Sequence, residues 1–306
     1  MSHSLAALAA TLALSHPGPQ DAAPAPPAEI QEPTAQLEDV IVDGSGLEAL
    51  ALEFIESVSA PPRRRGLARW DLELCIGVVN FHAEAAHAIV DRISDMAREL
   101  EIPLGEPGCA PNAVIVGADD GRALATALVG ERRRAFRFGY TRSNRGSRAL
   151  RAFQDSEAPV RWWHISFPVD AETGELAIRL PGQPAPPLPG SGRRSMQRVL
   201  MSDRLARAVI IVDVGRASEI SFSQLCDYLA LITLAQIDPD GDHGALDTVL
   251  NVFDNPASVE GLTEWDRGWL RTLYESGPNR RDAVFQAEAM AAQLTARRTE
   301  TPAPPE

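Results

Sequence analysis

Lysine is absent from this chain of 306 residues, so all 29 of its basic residues are arginine. That pattern reads as a base-composition bias of the genome rather than a functional choice. The arginines are outnumbered by 42 aspartates and glutamates, giving a net charge of −13. Such a balance argues against general nucleic-acid binding, which needs a positive field to meet the phosphates. Cysteine is scarce, with only Cys75, Cys109 and Cys226. No apolar run approaches the length of a membrane span. There is no internal repeat, no Gly-rich phosphate loop, no C-x-x-C pair and no G-x-S-x-G nucleophile motif. What remains is an ordinary globular composition, 44% hydrophobic. The body between the tails is long enough for one large domain or two subdomains with a substantial core.

In chain order, Leu5 to Leu14 is an apolar stretch of signal-segment length with no basic residue ahead of it except His3 and the terminal amine, and Ala22 to Ala25 is small enough to belong to a cleavage site. The other reading is an Ala-rich cytoplasmic tail. Gly18 to Pro33 is a Pro/Ala-rich linker, so residues 1–38 are expected to lie outside the folded body. Leu47, Leu50, Phe54, Ile55 and Val58 fall at helical spacing, and Pro61 and Pro62 end that helix. Arg63, Arg64 and Arg65 read as a solvated loop. Leu72, Leu74, Ile76 and Val78 alternate as a strand does. Ala86, Ile89, Val90, Ile93, Met96, Ala97 and Leu100 step by three and four, which predicts a helix. Ala113 to Val116 is a second strand, so strand, helix and parallel strand make a right-handed crossover unit. Asp119 to Val129 reads as a short helix. Val160 to Phe167 is a strand with Trp162, His164 and Ser166 on one face and Trp163, Ile165 and Phe167 on the other. His164 there reads as a packed, hydrogen-bonded residue rather than a base. Pro181 to Gly192 is a loop that serves as a lid or as a surface excursion. Val284, Ala287, Ala291 and Leu294 predict a last amphipathic helix, followed by a polar tail over 297–306.

The chain is organised around Arg204 to Tyr274. Ala208 to Val214 is a β-branched run without Gly or Pro, and reads as a strand. Ser221 and Gln224 have the spacing of a capping box. Beyond them Phe222, Leu225, Cys226, Leu229, Ile232, Thr233 and Gln236 form one stripe, widened by Leu231, Leu234 and Ala235. A helix apolar nearly all round lies inside its domain. It ends at the turn formers Asp238 to His243. The run Thr248 to Pro256, then Leu262, Thr263 and Asp266, then Leu270, Arg271, Leu273 and Tyr274, follow.

This order of strand, buried helix, apolar turn, Leu-Thr-x-x-Asp and Leu-Arg-x-Leu-Tyr resembles the catalytic half of zincin metallopeptidases of the metzincin type. It resembles still more an uncharacterised group of bacterial exported proteins similar to degenerate relatives of those peptidases. The overall order matches from about residue 65 to 296, and recognisable motifs are confined to 204–276. The resemblance implies an α/β (α+β) zincin-like fold. It would have a twisted mixed sheet, a long helix after the first strand, a buried former active-site helix closing an upper subdomain at 39–237, and a small helical lower subdomain at 238–296. In the peptidases that helix carries H-E-x-x-H-x-x-G-x-x-H, which offers imidazoles to one Zn²⁺ and a Glu as general base. Neither register supplies them here. Starting from Cys226, the corresponding residues are Asp227, Ala230 and Gln236; starting from Asp227, they are Tyr228, Leu231 and Ile237. No histidine occurs between His164 and His243, and Asn251 or Val252 stands near the place of the expected Met. Cys226, Asp227 and His243 are the only set that could offer three zinc ligands. The competing reading, a core cysteine, a helix-surface carboxylate and a loop histidine, is the one expected, so no cofactor and no catalytic residue are assigned.

Cys75 lies in the first of the two parallel strands and Cys109 just before the second, which could bring them within reach of a disulfide, although two separate buried thiols remain the alternative and are preferred in a cytoplasmic protein. Arg132, Arg133, Arg134, Arg137, Arg142, Arg145 and Arg148, interleaved with Phe136, Phe138 and Tyr140, form a candidate patch for an anionic partner. The expectation is therefore a non-catalytic zincin-like binding or assembly component of the bacterial envelope, periplasmic or secreted, with a cytoplasmic location as the alternative. A metal-dependent hydrolase with a non-standard ligand set is the second reading. An envelope component presenting the arginine patch to an anionic surface is the third.

Overall fold

The computed structural model describes residues 44–62, 65–137, 144–171, 173–177, 201–276 and 283–300. Its four strands are β1 (Ile76–Val79), β2 (Ala113–Ala118), β3 (Val160–Asp170) and β4 (Met201–Asp213). They form a mixed sheet in the order β1-β2-β4-β3, with β1, β2 and β4 parallel and β3 antiparallel at the edge. The fold is thus α/β with a mixed sheet. The eight helices among the described residues are α1 (Gly44–Val58), α2 (Ala83–Glu99), α3 (Gly121–Glu131), the single turn α4 (Arg133–Phe136), α5 (Ser147–Asp155), α6 (Phe222–Leu234), α7 (Glu264–Glu275) and α8 (Ala283–Glu300).

Alternation along the strands sends side chains to two separate cores. Ile115, Ile210 and Trp162 are register partners across β2, β4 and β3. All three face the larger core, shared with α1, α2, α6, α7 and α8. Trp163, Ile165, Phe167 and Ile211 face the other way and pack with Ala125, Val129, Leu150 and Phe153 from α3 and α5. From Val42 onward the chain is one unit, in which α8 packs on both α1 and α7.

Several expectations change in detail. β1 is shorter than its alternation implied: Leu72 is exposed, and Leu74 bridges to Leu104 rather than to β2. β4 begins seven residues before Ala208, at Met201. Its first half escaped notice because the buried positions there include Asp203, a charged residue that breaks the apolar pattern. Asp203 is matched by Arg65, which is buried rather than solvated. Arg65 Nε donates to Asp203 Oδ1 at 2.6 Å, and its Nη1 donates to Ser166 O at 3.0 Å. The Gly66 N–H adds a bond to Asp203 Oδ2 at 2.6 Å. A buried pair of this kind holds two segments in register as long as both partners remain. The last helix runs to Glu300 instead of ending near 296, and Arg297 pairs with Glu275 of α7. The candidate signal segment, the linker, Arg142, and the loop from Pro181 to Gly192 lie outside the described residues.

Candidate functional site

The site begins with α6, because every residue from Gln224 to Leu234 is buried. Its first turn is closed by the Ser221–Gln224 box, the Gln224 N–H donating to Ser221 Oγ at 3.2 Å and the Ser221 N–H to Gln224 Oε1 at 2.7 Å. Gln224 Nε2 also holds the following loop, donating to Pro256 O and Val259 O at 2.7 and 2.6 Å. At the other end, the last carbonyls of a helix have no partner inside it. Side chains from three separate segments supply them. His164 Nε2 lies 2.8 Å from Ile232 O, Trp70 Nε1 donates to Thr233 O at 2.8 Å, and the Tyr274 hydroxyl donates to Leu234 O at 2.6 Å. Trp162 Nε1 then donates to Ile237 O at 3.0 Å. Burial lowers the His164 pKa to about 4, so the ring is neutral at pH 7 and carries its proton on Nε2. His164 is packed and hydrogen-bonded, as the strand pattern led one to expect, and its partner is the end of α6.

Mid-helix, where metal ligands would stand, the geometry serves another purpose. Asp227 is paired with Arg92 of α2 through Oδ1 and accepts the Leu262 N–H on Oδ2 at 2.9 Å. Cys226 is buried, and that burial, followed by the neighbouring Asp227 charge, pushes its thiol up to about 11. His243 sits in the loop after α6, its Nε2 3.3 Å from Asp238 O, and burial lowers its pKa. Asn251, near the place of the expected Met, donates to His243 O at 2.9 Å and Leu246 O at 2.7 Å, closing that loop. Among the described residues no three His, Cys, Asp or Glu side chains converge as a metal-ligand group. The donor set formed by Cys226, Asp227 and His243 therefore does not converge on one point in this arrangement, and its carboxylate is spent on Arg92 and the Leu262 N–H.

Beside α6 runs the outer edge of β3. Among the described residues, backbone partners of Val160–Ile165 come only from β4, whereas Pro168 and Asp170 also bond to Ala177 and Glu175. A cavity of about 90 Å³ lies beside this buried stretch, lined by Trp162, Trp163 and His164 of β3 and by Ala149, Tyr228 and Pro239.

The other sites proposed from sequence are placed as follows. Cys75 and Cys109 are joined as a disulfide, with Cα atoms 6.1 Å apart. Arg132, Arg133, Arg134, Arg137 and Arg148 are exposed, but Arg145 is drawn away by Asp238 and Asp240, at 2.7 and 3.2 Å. The interleaved aromatic Phe136 is buried against Phe153 and so is unavailable for stacking on a base. Arg92 was missed from sequence because it lies on a helix whose apolar stripe gave no hint of what its polar side would meet. No helix of the described residues is long and apolar enough to cross a membrane. Comparison with protein-family models, curated proteins and solved structures found no match to this chain.

Proposed function

We propose that the chain is a non-catalytic, zincin-like binding or assembly protein, exported to the bacterial envelope. The observation that carries this reading is the use made of α6. It occupies the place of a metal-bearing helix in the order of elements, yet its one mid-helix carboxylate is committed to Arg92 and the Leu262 N–H. A Cys75–Cys109 disulfide supports an oxidising compartment.

The test is elemental mass spectrometry of tag-free protein purified without added metal and again after zinc addition, paired with hydrolysis of a casein substrate with and without chelator. Substoichiometric zinc and no chelator-sensitive hydrolysis are expected. Near-stoichiometric zinc together with chelator-sensitive cleavage overturns the reading in favour of a hydrolase.

A further inference from the structure

A second cavity opens at the carboxyl ends of the parallel strands. Its volume is about 640 Å³, within the range of small-molecule sites. In open α/β sheets the loops leaving the carboxyl ends of the strands are where ligands bind. Here those loops are 80–82 after β1, 119–120 after β2 and 214–221 after β4, and residues from all three line the cavity.

Its walls are set by local bonds. Asn80 takes a left-handed φ of 61°. Its Nδ2 donates to Gly117 O at 3.3 Å. A Cβ at Gly117 would lie 2.8 Å from Asn80 O, so only glycine lets the loop seat so closely on β2. The Val214 N–H donates to Ala118 O at 2.9 Å, and Ser218 Oγ donates to Gly215 O at 2.7 Å. The floor is apolar, formed by Val212, Ala217, Ile220 and Leu225. Of the five exposed large hydrophobic residues described, Val214 and Phe222 line this cavity and Val79 adjoins it through Asn80. Single exposed apolar residues are ordinary; three gathered at one cavity are a mark of binding.

Charge decides the head group. The lining holds the carboxylate of Asp119 and the imidazole of His82 but no arginine, in a chain with 29 of them. Of the guanidiniums nearest along the chain, Arg122 and Arg216 both pair with Glu157, at 2.8 and 2.6 Å, and Arg92 pairs with Asp227. The starts of α2 and α6 also lie here; Glu84 in the first turn of α2 offsets the positive end of that helix, while α6 has no acidic residue in its first turn, which leaves Asp119 as the one carboxylate in the lining among the described residues. We infer that this cavity binds a small organic cation, a primary amine carried on an apolar chain or ring, with the amine on Asp119 and the apolar body against Val214 and Phe222. This inference does not depend on the zincin-like reading.

Butylamine, hexylamine and octylamine, with octanoate as the anionic control, titrated into the full chain at pH 7.5 and low salt by calorimetry, test it. Affinity is expected to rise a few-fold per added methylene, with octanoate at least tenfold weaker than octylamine. Asp119→Asn should weaken octylamine about tenfold. Val214→Arg, at an exposed position, should abolish its binding without lowering the melting temperature. Three outcomes overturn the inference: octanoate binding as tightly as octylamine, amine binding indifferent to both substitutions, or no amine binding up to 10 mM, a concentration on the order of that at which the weakest small ligands register.

Discussion

His164 and Asp266 should give this protein two opposing pH dependences in the same window. Burial lowers the His164 pKa from 6.5 to about 4, and the Ile232 carbonyl only partly offsets that. The Asp266 carboxyl is raised from 3.8 to about 6, again by burial, despite the bonds it accepts from the Thr248 hydroxyl at 2.6 Å, the Val249 N–H at 2.8 Å and the Thr263 N–H at 3.0 Å. Between pH 6.5 and 4 the unfolded chain binds a proton at His164 that the folded chain refuses, so stability falls as pH falls. Between pH 6 and 3.8 the folded chain binds a proton at Asp266 that the unfolded chain releases, so stability rises as pH falls. Each contribution amounts to about 2–3 kcal/mol from pH 7.5 to 4.5, and in the wild type they nearly cancel. Substituting one at a time exposes the other. His164→Gln keeps a donor near the Nε2 position but cannot titrate, so relative to wild type it should gain about 2–3 kcal/mol on going from pH 7.5 to 4.5. Asp266→Asn should lose about 2 kcal/mol over the same interval, on top of the pH-independent cost of turning an amide donor toward other donors. Urea unfolding followed by tryptophan fluorescence at the two pH values measures both differences. Curves for wild type and His164→Gln that differ by the same amount at pH 7.5 and 4.5 would refute the reasoning, since they would mean that the buried imidazole titrates normally.

Two further outcomes follow from the covalent and steric ties. Cys75→Ser opens a loop with a sequence separation of 34, and should cost about 3–4 kcal/mol if the bond acts through chain entropy. Thiol titration of the unfolded, unreduced wild type should find only Cys226, and three free thiols would remove the bridge. At Gly261 an added Cβ would collide with Asp227 Oδ2. Gly261→Ala should therefore lower stability by about 2–4 kcal/mol, by pushing the carboxylate off Leu262 and Arg92. The same change in an Asp227→Ala background should cost much less, and equal costs in both backgrounds would show that the collision is not with Asp227.

The regular elements were legible wherever one period dominated. The three- and four-residue steps from Ala86 to Leu100 became α2, and the alternation in Val160–Phe167 divided Trp162 from Trp163 between two cores. The capping boxes at Ser221 and Thr263 both formed, the first read in advance from its spacing, because such a box is a purely local signal. What failed was everything that required a partner from far along the chain. Arg65 looked like a solvated charge until Asp203, 138 residues away, supplied its counter-ion. The same pairing concealed the first half of β4. Arg92 and Asp227, 135 residues apart, each carry the pattern of an ordinary helix surface. The amine-binding cavity proposed here was equally invisible, since it is assembled from three loops with no common motif.

The ties on α6 bear directly on whether a metal is needed. A structural or catalytic ion binds its helix to the neighbouring loop, and its binding energy becomes part of the folding energy. Here that linkage exists without an ion. Asp227 joins α6 both to α2 and to the backbone at Leu262, and Gln224 fastens the loop carbonyls at Pro256 and Val259. At the far end His164, Trp70 and Tyr274 satisfy three successive carbonyls from three different segments. A helix anchored at its start, middle and end by its own chain gains nothing in position from a metal. The position that an ion would give this helix is given by side chains from α2, β3 and α7.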